Sequence, residues 1–275
     1  MINEIKTHIA SNARHLGYEH IDQDLLSFTK FCQRIVEEHT KVLFLVTYKG
    51  KELCIVKTVR DSSYNERLQN EADTQRELST QGIQHVPSVL IEGKIKEVYF
   101  YAEPVASGVT PSRGRAKKLE KEILEFVASL PTAGTCSSST VHKALEALTV
   151  EDEVLKHLIE MFGTYDVSLK RGVTHSDLGR PNILIDKNSF VVIDWERASD
   201  LPFWMIDGVY FIMKVHNIHS RAVWRSKGFS ILQNYVSIDQ TEAEALYILA
   251  AIAQRLKKKY ANDYRTFVSN LKNYL

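Results

Sequence analysis

Val173-Thr-His175-Ser-Asp177-Leu-Gly-Arg-Pro-Asn182 carries an imidazole, a carboxylate and a carboxamide within one short stretch, and Asp194 follows in Val191-Val-Ile-Asp194-Trp195-Glu196. Carboxylate and carboxamide oxygens hold hard divalent cations, and a carboxylate can take a proton from a hydroxyl. Between Asn182 and Asp194 lie two apolar segments, Ile183–Ile185 and Phe190–Ile193, joined by Asp186-Lys-Asn-Ser189. They predict a short β-hairpin with polar ends. A loop ending in Asn, a strand pair and then an Asp can place all three oxygen-bearing side chains around one cavity. Phosphoryl transfer needs such a set: a carboxylate near the acceptor hydroxyl, and oxygen ligands for Mg²⁺ bridging the phosphates.

The elements that must hold these residues read as two regions of different character. Val42–Tyr48 and Glu52–Val59 are rich in β-branched and aromatic residues, and the turn Lys49-Gly50-Lys51 predicts their hairpin. Residues 65–81 are charged, with Leu68, Ala72 and Leu78 at helical intervals. Val86–Glu92 and Glu97–Pro104 predict a second strand pair turning about Gly93, and Leu25, Leu26, Phe31 and Ile35 suggest a preceding helix over 25–38. From Ser112 helix dominates. Leu119, Ile123, Val127 and Leu130 form an apolar stripe, small polar residues over Pro131–Thr140 break it, and another helical stretch reaches Phe162. Thr241-x-x-Glu244 reads as a capping box before Leu246, Leu249, Ile252 and Leu256, with Lys257–Lys259 at the helix end that favours cations.

The 175–196 segment resembles the catalytic loop and metal-binding aspartate of the aminoglycoside phosphotransferase and choline kinase superfamily, written H-x-D-x-x-x-x-N, a hairpin, then I-D-[FW]-E. The resemblance runs from about Lys41 to Tyr210 and implies an α+β, bilobal protein-kinase-like fold. Residues 1–105 would form a small antiparallel-sheet lobe with one helix, on the nucleotide side, and 106–275 a larger, mainly helical lobe with the catalytic loop, metal and acceptor site. It implies Asp177 as catalytic base with His175 bracing its loop, and Asn182 and Asp194 as Mg²⁺ ligands. Lys57, late in Leu53-Cys-Ile-Val-Lys57, would bind the α/β-phosphates of ATP. Glu71 would pair with Lys57, and is preferred to Glu77 because its distance to Pro87 resembles the family's. Backbone near Glu103 and Val105, in Tyr101-Ala-Glu103-Pro-Val105-Ala-Ser-Gly108, would meet adenine, and Asp207 would brace the catalytic loop. One segment departs from the pattern: Glu37-Glu-His-Thr-Lys41, where the family places a Gly- or Ser-rich phosphate-covering turn, has no glycine.

Composition narrows the partners. Thirty-five Lys and Arg against 34 Asp and Glu give a net charge of +1, so no global field points to nucleic acid or to an acidic membrane. Three dispersed cysteines fit reduced thiols rather than disulfides or a zinc site, and neither a signal peptide nor a membrane span is read, so a cytoplasmic protein is expected. Arg197, Lys214, Arg221, Arg225 and Lys227 tilt residues 195–235 towards the basic, which disfavours a polycationic aminoglycoside. Trp195, Phe203, Trp204, Tyr210 and Trp224 could stack on a sugar, cage a quaternary ammonium, or form core. The function expected is ATP-dependent transfer of the γ-phosphoryl group to a hydroxyl of a small molecule: a sugar, an amino alcohol or a glycan precursor. A protein Ser/Thr kinase is the first rival, set back by Trp195-Glu196 in place of D-F-G. A non-catalytic pseudokinase-type binding module is the second.

Overall fold

In the computed structural model residues 1–36, 39–187 and 189–275 are described, the stretches 31–36 and 39–40 by backbone alone. The chain divides into two compact units, Met1–Val109 with Leu184–Arg197, and Thr110–Ile183 with Ala198–Leu275.

The first unit is built on an antiparallel sheet in the order β1-β2-β3-β5-β4. Helix α1 (Ile2–Ser11) precedes β1 (Leu26–Val36), β2 (His39–Tyr48) and β3 (Lys51–Val59); α2 (Asn65–Thr80) then leads to β4 (Ile91–Ile95) and β5 (Val98–Glu103). Strand side chains alternate between faces. One face carries Val42, Phe44, Val46, Cys54, Val56, Phe100 and Ala102, buried against Ile5 and Ile9 of α1. The other packs Val59, Tyr99 and Tyr101 against Leu68 and Ala72 of α2.

Two local expectations are corrected here. Residues 26–36 form a strand, not a helix. The β1–β2 register shifts between Lys30 and Cys32, and such a bulge breaks the period-two alternation by which a strand is read from sequence. The β4–β5 turn lies at Lys96 and Glu97, with Lys96 at φ 56, rather than at Gly93. Gly93 sits inside β4, where a Cβ would come within 3.1 Å of the His8 ring, so it serves close packing of α1. Of the glycine-free turn, Glu37 and Glu38 lie outside the described residues, whereas Lys41 belongs to β2.

The second unit is mainly helical: α3 (Arg113–Lys118), α4 (Glu120–Ser129), α5 (Ser138–Glu146), α6 (Glu153–Gly163) and α7 (Ile206–His216), then short α8 (Arg221–Val223) and α9 (Phe229–Gln233), and long α10 (Gln240–Lys259) and α11 (Ala261–Tyr274). Helix α10 buries Leu246, Leu249, Ile252 and Leu256 and packs on α6, α7 and α11. Two features differ from expectation. The small polar stretch after Pro131 forms β6 (Thr132–Ser137), paired with β7 (Ser168–Gly172). At α10 the N-cap is Asp239, whose carboxylate accepts from the N–H groups of Thr241 and Glu242, while Glu244 is buried and bound to arginines.

Strands β8 (Ile183–Asp186) and β9 (Ser189–Val192) form the expected hairpin, with Asn188 of its turn outside the described residues. Past Ile183 the hairpin belongs to the first unit. Val109 and Ile185 exchange both backbone hydrogen bonds, and a Cβ on Gly108 (φ +119) would lie 2.7 Å from the Ile185 carbonyl. The Val192 N–H donates to the His85 carbonyl, and the His85 ring stacks on Phe190. The residues leading into Asp194 are therefore fixed to the sheet unit from both strands.

Candidate active site

Register dictates which side chains meet on the α2 face of the sheet. Leu43 of β2 lies opposite Lys57 of β3, so Lys41, two residues earlier, projects from the same face as Lys57. Lys57 in turn lies opposite Tyr101 of β5, which puts Glu103 on that face as well. Across from them, Glu71 and Gln75 share one side of α2 at helical i, i+4 spacing. The result is a buried network. Lys57 Nζ lies 2.6 Å from Glu71 Oε1 and 3.0 Å from Glu103 Oε1, and its charge sits 5.4 Å from the Tyr101 ring centre. Gln75 donates to the second Glu103 oxygen at 3.1 Å.

Lys41 completes this network. Its ammonium donates to Glu71 Oε2 at 2.9 Å, Asp194 Oδ1 at 2.6 Å and Glu196 Oε2 at 2.9 Å, so three N–H donors meet three carboxylates. Burial alone would push the Lys41 pKa down, but Glu71, Asp194 and Glu196 together hold it well above the ordinary lysine value. Lys57 is likewise raised, burial being outweighed by Glu103 and Glu71. Burial pushes the Glu71 carboxyl up, yet the two lysines bring it below the ordinary value. Glu103 goes the other way: burial and the nearby Glu71 raise it against the pull of Lys57. Asp194 adopts φ 70, a left-handed conformation uncommon outside glycine, and its carboxylate is held there by Lys41.

In the second unit the loop from Thr174 to Asn182 is tied by side-chain to backbone bonds. Asp207 of α7 accepts the His175 N–H at 2.6 Å. Burial pushes the Asp207 carboxyl up, opposed by His175 and by the backbone N–H groups of His175 and Ser176. Ser176, at φ 60, accepts from the Leu201 N–H at 3.0 Å and shares a hydrogen bond with Thr174 Oγ1. His175 Nδ1 accepts from the Asp177 N–H at 3.3 Å, and Asn182 Nδ2 donates to the Asp177 carbonyl at 3.0 Å. His175, Ser176 and Asn182 are buried, while the Asp177 side chain is 39% exposed. The loop thus aims one carboxylate at solvent from a fixed backbone. Lys257, in the last turn of α10, donates to the Ser176 carbonyl and lies 3.5 Å from Asp177 Oδ1.

Of the residues singled out in the sequence, Lys57, Glu71, Glu103 and Asp194 come together in the first unit, with Val105 in the loop after β5; His175, Asp177 and Asn182 come together in the second. Glu71 faces the lysine and Glu77 is exposed. Asp207 takes its expected place on the loop backbone. Sequence reading missed Lys41, Glu196 and Lys257. In the sequence Lys41 reads as the end of a turn, and only the β2–β3 register reveals its facing. Lys257 stands eighty residues beyond its partner Asp177 in the chain, as 257 against 177. Among the aromatics, Trp195, Phe203 and Trp224 are core, whereas Trp204 and Tyr210 are half-buried beneath Lys170 and Lys214. The basic tilt of 195–235 is partly offset, because Glu244 binds both Arg221 and Arg225 from outside that window.

A five-stranded antiparallel sheet with α2 on one face, followed by a mainly helical part, is a protein-kinase-like fold, which solved structures of small-molecule kinases and phosphotransferases share. A structure assigned as a fructosamine-3-kinase from Haemophilus somnus 129PT aligns at TM-score 0.58 and 11% identity, over 98% of this chain and 97% of the other. The GDP and kanamycin complex of APH(2″)-IIIa aligns at TM-score 0.57 and 14% identity, over 98% of each. Choline kinase LicA from Streptococcus pneumoniae aligns at 0.52 and 15%, again over 98% of each. No family model and no curated protein sequence matches the chain.

Proposed function

We propose that this protein is an ATP-dependent phosphotransferase that moves the γ-phosphoryl group to a hydroxyl of a small molecule. The observation that carries the reading is the loop 174–182. Its backbone is fixed by Asp207, Ser176 and Asn182, and it leaves the Asp177 carboxylate exposed between buried neighbours. That is the arrangement a base needs in phosphoryl transfer, where the carboxylate mainly orients the hydroxyl and takes its proton late. His175 and Asp207 act through the loop as positioning residues.

Lys57, held by Glu71, is the cation for the α/β-phosphates, and backbone near Glu103 and Val105 would receive adenine. Solved neighbours with bound GDP, or with ADP and streptomycin, support nucleotide binding on this fold. Asn182 and Asp194 would hold Mg²⁺. Their oxygens are the hard donors that Mg²⁺ takes, and within the first unit the carboxylates of Glu71, Asp194 and Glu196 lie within 4.8 Å of one another, so Asp194 and its neighbours there fit the ion. Bound there, Mg²⁺ would neutralise charge on the phosphates.

The acceptor we assign is a sugar, amino alcohol or glycan-precursor hydroxyl rather than an aminoglycoside. Two cations, Lys257 and the exposed Lys214, stand near Asp177, and a polycationic acceptor would have to approach against both. Neighbours described as acting on or binding fructosamine, choline or kanamycin show how wide the choice on this fold is. A cytoplasmic location supplies ATP and matches the free, buried Cys54 and Cys136; among the described residues no helix is long and apolar enough to cross a membrane. The test is transfer of labelled phosphate from Mg-ATP to a panel of sugars, amino alcohols and kanamycin. Transfer to a neutral or anionic alcohol is expected; faster transfer to kanamycin would overturn the acceptor assignment. No transfer and no nucleotide binding would leave a non-catalytic module.

A further inference from the structure

The buried interior of the first unit holds more charge than a lysine–glutamate pair on this fold requires. Four carboxylates, those of Glu71, Glu103, Asp194 and Glu196, face two ammonium groups, Lys41 and Lys57. Lys57 is occupied by Glu71 and Glu103. Asp194 and Glu196 both meet the ammonium of Lys41, whose side chain is 3% exposed and whose three donors are all used on carboxylates. The same three carboxylates, Glu71, Asp194 and Glu196, form the one cluster among the described residues with the spacing of a metal site. An ammonium at 2.6–2.9 Å from three such oxygens stands in for the charge a metal would bring.

We propose that Lys41 is a tethered counter-cation that competes with a divalent metal for Asp194, so that metal reaches this carboxylate only by displacing the lysine. The inference rests on the reading of Asp194 as a metal ligand. Its physical basis is charge: the buried carboxylates of Glu71 and Glu196 beside the partly buried Asp194 are strongly unfavourable without a cation, and a metal and an ammonium cannot share the same oxygens at contact distance. Lys41 thus keeps the nucleotide-free protein folded and metal-poor, and metal bound alone gains only the difference between two cations. Metal arriving with a nucleotide brings phosphate oxygens, which give the displaced ammonium a new anionic partner.

Mn²⁺ affinity, read from the free-ion signal in electron paramagnetic resonance without nucleotide, tests this. Lys41→Met should bind Mn²⁺ at least about tenfold more tightly than wild type, and Lys41→Arg, which keeps the charge, should stay at the wild-type level. Asp194→Asn in the Lys41→Met background should remove the gain. Equal affinity of Lys41→Met and wild type, or a gain that survives Asp194→Asn, overturns the proposal. Should Lys41→Met fail to fold, the lysine ammonium resonances of ¹⁵N-labelled wild type are followed during Mg²⁺ titration. Loss of one protected ammonium signal supports displacement; metal binding that leaves every protected signal unchanged overturns it. Failure of the underlying reading looks different: Asp194→Asn would then leave Mn²⁺-ATP binding at the wild-type level, whatever Lys41 does.

Discussion

Asp177 and Lys257 approach each other to 3.5 Å, yet they come from a loop and a helix terminus far apart in the chain. Their roles separate kinetically. Asp177→Asn keeps the side-chain shape and removes the proton acceptor, so kcat should fall by roughly 10²–10⁴. Nucleotide affinity should hold, since neither Lys57 nor Asp194 is touched; calorimetry beside single-turnover kinetics checks both halves. Retention of most activity in Asp177→Asn would remove the base assignment. Lys257 has a different task, because its ammonium also holds the Ser176 carbonyl. Lys257→Met should lower kcat by about 10- to 100-fold through misplacement of the Asp177 carboxylate. Nucleotide affinity should stay at the wild-type level, and Lys257→Arg should restore part of the rate. A purely structural lysine would instead shift thermal stability and leave kcat per folded molecule unchanged.

At the scale of elements, Glu244 shows how α10 is fastened. It lies in the second turn of the helix, buried, and takes both Arg221 and Arg225, whose bonds draw its pKa down to about 2 although burial alone would raise it. A carboxylate depressed in the folded state stabilises above its unfolded pKa and loses that contribution as pH falls towards the folded value. Glu244→Gln should therefore cost on the order of 2 kcal/mol at pH 7. The gap to wild type should close between about pH 4.5 and pH 2, measured by urea unfolding across that range. A gap independent of pH would mean that packing, not charge, carries the effect. The same residue marks a limit of sequence reading. Thr241-x-x-Glu244 satisfies the capping-box spacing, but two arginines brought in by α8 and the turn after it claim the glutamate, and Asp239 caps instead. Local signals were legible where one element sufficed, as in the β8–β9 hairpin and the α4 stripe, whereas the pairing of Glu71 with Lys57 followed from the family resemblance. They misled where a bulge shifted the phase of β1 or where Gly93 served a contact with α1 rather than a turn. Lys41 was illegible because its facing depends on pairing between strands, not on spacing within one.

For the molecule as a whole, 11–15% identity with aligned structures over nearly all of their length means that pattern, not sequence, maintains the fold. Fold alone does not assign an activity, so binding must be tested on the intact chain. A ligand that binds only the folded state stabilises it by about 2.7 kcal/mol at one hundred times its Kd. For a chain of this size that corresponds to a rise of roughly 5–10 °C in Tm. We expect Mg-ATP or Mg-GTP to produce such a shift, growing with nucleotide concentration. ATP with a chelator should give less, because Asp194 then has no ion to share with the phosphates and remains paired with Lys41. Lys57→Met is destabilised from the outset, since Glu71 and Glu103 lose their buried cation, by about 3–5 kcal/mol as for other broken buried pairs. Its own nucleotide shift, measured from that lower baseline, should be small. Absence of any shift at millimolar Mg-nucleotide in the wild type would contradict nucleotide binding and favour a non-catalytic module. A shift of equal size with and without Mg²⁺ would keep the nucleotide and remove the metal role given to Asn182 and Asp194.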